Sequence, residues 1–195
     1  MDHATKAARA SGHFHAVRFY ESPESLCRMI AEFLGEGMII GQPALVVATP
    51  EHRDGIVSEL KARHFDTDKM LASGDLLLLD ARDVLSTFMV NGEPDAVHFN
   101  LSLPAAIDTL RGTRDCTVRA YGEMVDLLWK DGLTGAAVRL EMLWNQLAMT
   151  REFSLLCGYA MGNFYKDAAV SDICCQHSHV VSPDGTALAA IQTVN

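Results

Sequence analysis

Apolar and polar positions alternate from His15 to Tyr20, with Val17 and Phe19 on one side of the alternation, and this period of two reads as a strand. The period then lengthens: Leu26, Met29, Ile30, Phe33 and Leu34 recur at helical spacing. Ser22-Pro23-Glu24-Ser25 supplies an N-cap, a proline for the first helical position and an acidic first turn, and Gly35 and Gly37 mark the expected frayed end. After the turn Gly41-Gln42-Pro43, the unbroken apolar run Ala44 to Ala48 is the pattern of a strand covered on both faces. Together these segments form one βαβ unit.

The alternation of elements continues along the chain. Thr49-Pro50-Glu51 repeats the cap, proline and acid, opening a helix to about His64; Asp66 to Ser73 is a short helical turn, and Gly74-Asp75 leads into a strand at Leu76 to Leu79. Asp83 to Met89 is a short helix, Val90 to Pro94 a turn-rich insertion, and Phe99 to Leu110 a helix that must begin or kink at Pro104. Cys116 to Ala120 is the fourth strand. Val125 to Trp129 and Ala136 to Met149 are helices on either side of a break at Asp131-Gly132, and Phe153 to Tyr159 is the fifth strand. A helix from Phe164 to about Cys175 and a strand at His179-Val180-Val181 precede the turn Pro183-Asp184-Gly185. Strands alternating with helices predict a three-layer α/β/α fold around a mainly parallel central sheet. No repeat or low-complexity linker divides it, so the expected organisation is a leader at 1–14, one domain at 15–182, and a tail or edge strand at 183–195.

Charge and composition narrow the function. A net charge of −9 over 195 residues argues against direct nucleic-acid binding and against an anionic membrane surface. No apolar run is long enough to span a bilayer, the first residues carry no hydrophobic core of a signal peptide, and a cytoplasmic location is expected. The five cysteines are odd in number and lie mainly in apolar segments, which fits reduced thiols better than a disulfide framework.

A parallel sheet binds its ligands at the carboxyl ends of its strands. The first such corner is Phe19-Tyr20-Glu21-Ser22-Pro23-Glu24, which has neither the glycines nor the lysine of a phosphate loop. Tyr20 and Glu21 offer an aromatic ring and a carboxylate there; alternatively Glu21 complements the helix dipole and Tyr20 packs across the sheet. Glu123, after the fourth strand and beside Met124, is the strongest single candidate, with capping of the next helix as its plainer role. Asp80 ends the third strand on the same edge. Arg119, if buried, needs an acidic partner such as Glu123, Asp80 or Glu21. Cys174-Cys175-x-His177-x-His179 contains metal-ligand types, but no second cluster has matching spacing, and no metal is assigned. Met142 and Met149 with Trp144 read as core or interface. No nucleophile elbow or triad is present in the sequence, so no catalytic residue is assigned.

HAVRFYES followed by FLGEGMIIGQPALVV, then MLASGDLLLLDA, VRAYGEM and FSLLCGY, occur in an order that resembles the MEDS family, the sensory domain of methanogens, methylotrophs and the dichloromethane-responsive repressor DcmR. That family is similar to RecA-like and KaiC-like ATPase cores. The resemblance implies that Phe19 to Ser25 occupies the Walker A position without its lysine and glycines, and that Arg119 to Glu123 lies where a Walker B strand would end. It also implies a sensory function without catalysis or cofactor, with small hydrocarbon derivatives as ligands. Only a short leader precedes His15, so the chain is expected to be a sensor standing alone.

The expected ligand set is His15, Phe19, Tyr20, Glu21, Asp80, Glu123, Met124 and Tyr159, with Asp131-Gly132 or Val90 to Pro94 moving on binding. The expected partners are a small molecule and a signalling protein such as a histidine kinase, an anti-sigma factor or a transcription regulator. Two other readings stay open: a nucleotide-binding switch or enzyme using Arg18 or Lys130 as an unconventional phosphate contact, and a protein that self-associates through the Ala136 to Met149 helix.

Overall fold

The computed structural model describes residues 14–161, 170–181 and 187–189. The first unit comprises β1 (His15–Tyr20), α1 (Pro23–Ile39) and β2 (Ala44–Ala48). Ser22 caps α1 by accepting the Ser25 amide at 3.2 Å, and Pro23 takes the first helical position, where a missing N–H costs nothing. There follow α2 (Pro50–Ala62), α3 (Thr67–Ser73), β3 (Leu76–Asp80), α4 (Ala81–Phe88), β4 (Met89–Val90), β5 (Glu93–Pro94), α5 (Ala96–Arg111) and β6 (Val118–Gly122). The chain continues through α6 (Met124–Lys130), α7 (Thr134–Ala148), β7 (Phe153–Ala160), α8 (Val170–Cys175), β8 (His179–Val181) and β9 (Ala187–Ala189). Most of the leader, the beginning of the helix expected from Phe164, the turn at Pro183 to Gly185 and most of the tail lie outside the described residues.

The main sheet runs β3-β2-β6-β7-β1-β8-β9. All pairings from β3 to β8 are parallel, and β9 pairs antiparallel with β8. Alternation along each strand sorts the core into two halves. Ala16, Tyr20, Val46, Tyr121 and Leu156 pack with Leu26, Ile30 and Leu34 of α1 and Ile56 and Leu60 of α2. Val17, Val47, Ala120, Cys157 and Tyr159 pack on the other face with side chains of α4, α5, α6 and α7. The three-layer α/β/α arrangement is thus present, and among the described residues no helix is long and apolar enough to cross a membrane.

Four local expectations need correction or extension. Gly35 and Gly37 do not fray α1; they lie buried inside it, because the helix runs on to Ile39. The helix does not begin at Pro104: α5 starts at the Asp95 cap and carries Pro104 buried in its interior. The turn-rich insertion is a β4–β5 hairpin, with Asn91 and Gly92 both at positive φ, the conformation that an Asn-Gly turn favours. Arg119 is not the partner of Glu123, Asp80 or Glu21. It sits near the amino end of β6, the end opposite those carboxylates, and turns toward α1. There its Nε donates to Gln42 Oε1 at 2.9 Å, and its guanidinium lies 4.9 Å from the Phe33 ring centroid.

That placement of Arg119 explains a glycine. A Cβ on Gly37 would collide with the Arg119 side-chain stem, so α1 can cross β6 this closely only without one. Gly37→Ala is therefore expected to destabilise the protein by about 1–3 kcal/mol, despite the roughly 1 kcal/mol that alanine gains in helix propensity. Denaturant unfolding of the variant against wild type measures it, and an unchanged or higher midpoint would contradict the packing described.

Candidate functional site

β2 and β6 are neighbours, yet α2 leaves toward one face of the sheet and α6 toward the other. Such a divergence opens a crevice at the carboxyl edge. Glu123, between β6 and α6, fills it. Its carboxylate accepts the backbone N–H of Thr49 at the start of α2, the His52 Nδ1–H at 2.5 Å and the Tyr121 hydroxyl at 3.2 Å. Only 2 % of the residue is exposed. Burial pushes the Glu123 carboxyl up, but the His52 hydrogen bond and charge and the Thr49 amide more than reverse this, leaving it below the ordinary range. The same hydrogen bond raises His52 against the opposing effect of its burial. Tyr121 has room to stand there because position 158 is glycine: a Cβ at Gly158 would lie 2.9 Å from the Tyr121 oxygen.

A second buried carboxylate continues the network toward β1. Asp126, in the first turn of α6, accepts the Tyr20 hydroxyl at 3.0 Å, the Ala160 amide at 3.0 Å and Lys130 Nζ at 2.6 Å. Lys130 Nζ also lies 3.5 Å from the Tyr20 oxygen, and Tyr20 meets the His52 ring edge-on with centroids 6.0 Å apart. Burial first, and then the Asp126 carboxylate, raises the Tyr20 phenol well above its usual value, so it remains a donor. Glu123 and Asp126 thus join β1, β6, β7, α2 and α6 at one edge.

The corner between β1 and α1 is short. Only Glu21 and Ser22 separate Tyr20 from Pro23, and the Ser22 hydroxyl takes a first-turn amide that an anion would otherwise use. Glu21 itself is exposed. Asp80 lies on the same edge, but its carboxylate caps α4 through the Arg82 and Asp83 amides and accepts Arg53 at 3.2 Å. Met124 is buried in the core beneath α6. Half-buried Phe19 faces Tyr159 with ring centroids 6.2 Å apart, and Trp129 meets Tyr159 edge-on at 6.1 Å.

His15 and Tyr159 belong to a different cluster, on the α7 face. Odd-numbered positions of β1 and β7 point there, so His15, Cys157 and Tyr159 converge on Glu141 of α7 while Tyr20 points the other way. Tyr159 donates to Glu141 Oε1 at 2.8 Å. Of the Cys174-Cys175-x-His177-x-His179 run, His177 joins this cluster with its ring centroid 4.3 Å from that of His15. Cys175 is exposed, and His179 stacks on Phe14 at 5.0 Å.

His52, Asp126, Glu141 and Cys157 were not among the expected site residues. His52 and Asp126 each had a signal: both fall in the first turn of a helix that leaves a strand's carboxyl end, His52 after Thr49-Pro50-Glu51 and Asp126 three residues after Glu123. Cys157 shares the strand parity of His15. Glu141 lies mid-helix and has no local mark of its destination.

The sequence model of the MEDS family, described as the methanogen/methylotroph, DcmR sensory domain, matches residues 14–178. No curated protein matches the chain.

The His52–Glu123 pair makes stability depend on pH in a defined sense. His52 is raised above its ordinary 6.5, so its contribution is complete below that pH and is lost as pH rises through the folded value. Glu123 is lowered from 4.5, so its contribution is complete above that pH and is lost as pH falls through the folded value. Wild type should therefore exceed Glu123→Gln by about 2 kcal/mol between these two values, with the margin shrinking toward alkaline pH. Denaturant unfolding of both proteins across the pH range checks this; a margin that grows with alkalinity would contradict the pairing.

Proposed function

The chain belongs to the MEDS family of sensory domains, and from that premise we propose that it is a non-catalytic sensory module whose ligand engages the carboxyl edge of the sheet. The carrying observation is the Tyr20–Asp126–Lys130 contact, which joins β1 to α6 and has its one partly exposed member in Lys130, 40 % exposed. Trp129, next to Lys130 on α6, packs its buried ring edge-on against Tyr159, which in turn faces half-buried Phe19, so the surroundings of the contact are apolar. A small, mostly hydrocarbon ligand with one polar group suits that combination, since few polar contacts orient a ligand held chiefly by apolar surface.

The polar group would compete for the lysine and the phenol, loosening β1 from α6. Movement of α6 has a route outward. Asp131, at its carboxyl end, pairs with Arg82 in the first turn of α4, and α4 leads directly into the β4–β5 hairpin. A signalling protein such as a histidine kinase, an anti-sigma factor or a transcription regulator would read that face. The ligand acts only through its different affinity for the joined and loosened states.

Thermal-shift and calorimetric titration of the full chain with small hydroxylated, thiolated and halogenated hydrocarbons tests the reading. At least one compound is expected to bind and stabilise the protein; Tyr20→Phe, which removes the phenol, should weaken it about tenfold, or roughly 1.4 kcal/mol, and Asp126→Asn, which removes the ligand's competitor for the phenol and the lysine, should strengthen it. Failure of every compound, or binding indifferent to both substitutions, would overturn it.

A further inference from the structure

Away from the carboxyl edge, four donor atoms from distant parts of the chain converge beneath α7. They are His15 Nε2 of β1, the Glu141 carboxylate of α7, Cys157 Sγ of β7 and His177 Nε2 of the segment between α8 and β8. All four residues are buried, and their donor atoms lie within 4.8 Å of one another. His15 Nε2 is 3.1 Å from Glu141 Oε2 and 3.4 Å from Cys157 Sγ. Cys157 Sγ is 3.6 Å from Glu141 Oε2, and His177 Nε2 is 3.3 Å from Glu141 Oε1. Ligands at zinc bond lengths of about 2.0–2.3 Å stand about 3.3–3.8 Å apart on the edges of a tetrahedron. These four spacings fall close to those edges, with Glu141 reaching His15 and Cys157 through Oε2 and His177 through Oε1, and the remaining pairs lie within 4.8 Å.

The outer sides of the two imidazoles fix where their protons sit. His177 Nδ1 lies 2.7 Å from the Ile173 carbonyl oxygen, which can only accept. His15 Nδ1 lies 2.8 Å from Asn145 Oδ1, and the orientation of that amide is set because its nitrogen donates to the Gln176 carbonyl at 2.7 Å. Each ring thus donates from Nδ1, and a neutral ring then aims the Nε2 lone pair at the Glu141 carboxylate. Lone pairs against carboxylate oxygens in a dry interior repel, and an ion between them converts each contact into attraction. His177 Nε2 lies 3.3 Å from Glu141 Oε1 without forming a well-directed hydrogen bond to any described residue.

Nδ1–H held by a carbonyl or amide oxygen is the outer support that metal-bound histidines use, and Tyr159 steadies Glu141 in the same way. A divalent ion, one carboxylate, one thiolate and two neutral imidazoles also sum to zero, the balance that a buried site requires.

We propose that His15, Glu141, Cys157 and His177 bind one divalent ion of the zinc type. Binding displaces the Cys157 thiol proton to solvent and fills the four positions with protein ligands, leaving none for a substrate, so the ion is structural. It clamps the segment before β8 onto β1, α7 and β7. The proposal does not rest on the ligand proposed at the carboxyl edge.

The test uses the full chain, freed of metal with a chelator and titrated with cobalt(II) alone. One ion per chain should bind, with the visible bands of a tetrahedral site and a thiolate-to-cobalt charge-transfer band. Cys157→Ser should lose that band, whereas the double variant Cys174→Ser, Cys175→Ser should keep it. Should Cys157→Ser not fold, X-ray absorption of the wild-type cobalt protein decides: one sulfur and two imidazoles are expected in the first shell. Metal removal should also speed hydrogen exchange in residues 170–181. Absence of stoichiometric binding, a shell without sulfur or with two, or a band lost with Cys174 and Cys175 would overturn the proposal, and protons rather than an ion would then offset Glu141.

Discussion

A carboxylate that takes the amide of a neighbouring helix's cap residue governs this structure. Taking a carboxylate out of water costs several kcal/mol, and it persists only if donors replace the water. Glu123 obtains the Thr49 amide, the His52 imidazole and the Tyr121 hydroxyl. Those donors come from the start of α2 and from β6, so satisfying the charge also fixes where the two diverging connections leave the sheet. Asp126 repeats the solution one turn later, using the ends of β1 and β7. Amides at a helix N-terminus can hold an anion; here Glu123 accepts the Thr49 amide before α2, and the Ser22 hydroxyl accepts the Ser25 amide of α1.

The second organising constraint is the period of two along the strands. HAVRFY places His15 on one face and Tyr20 on the other, so residues adjacent in sequence serve two separate centres. The face toward α1 and α2 carries Tyr20 and Tyr121 into the network at the edge. The face toward α7 gathers His15, Cys157 and Tyr159 around Glu141. Gly158 sits between Cys157 and Tyr159 and points the other way, leaving the room that Tyr121 needs. One strand segment, Cys157-Gly158-Tyr159, thus supports both centres.

This division also explains what could be read in the sequence. Elements with strong periodicity and end signals, such as Ser22-Pro23 before α1 and Thr49-Pro50 before α2, were legible to within a few residues because local chemistry sets them. The importance of Glu123 was legible from its place after a strand. The ring of donors around it was not, because His52 comes from α2, which follows a strand distant in sequence from β6 and adjacent to it only through the sheet order. His15 and Tyr20 belong to one strand yet stand on opposite faces, because strand parity and not proximity in sequence decides their neighbours. Glu141 was invisible for a related reason: a mid-helix acid is ordinarily solvated, and only the packing of α7 on β7 buries it. Gly35 and Gly37 misled in the opposite direction, since tertiary packing of α1 on Arg119 and Phe65 overrode their tendency to end a helix.

The proposed sensory function requires that the carboxyl edge be closed to phosphate by the protein's own carboxylates. Equilibrium binding of magnesium-ATP to the full chain is the most direct measurement. No saturable binding at millimolar nucleotide is the result expected when Glu123 and Asp126 hold the donors and Ser22 holds the first turn of α1. Submicromolar binding lost in Glu123→Gln would contradict it and make the edge a nucleotide site.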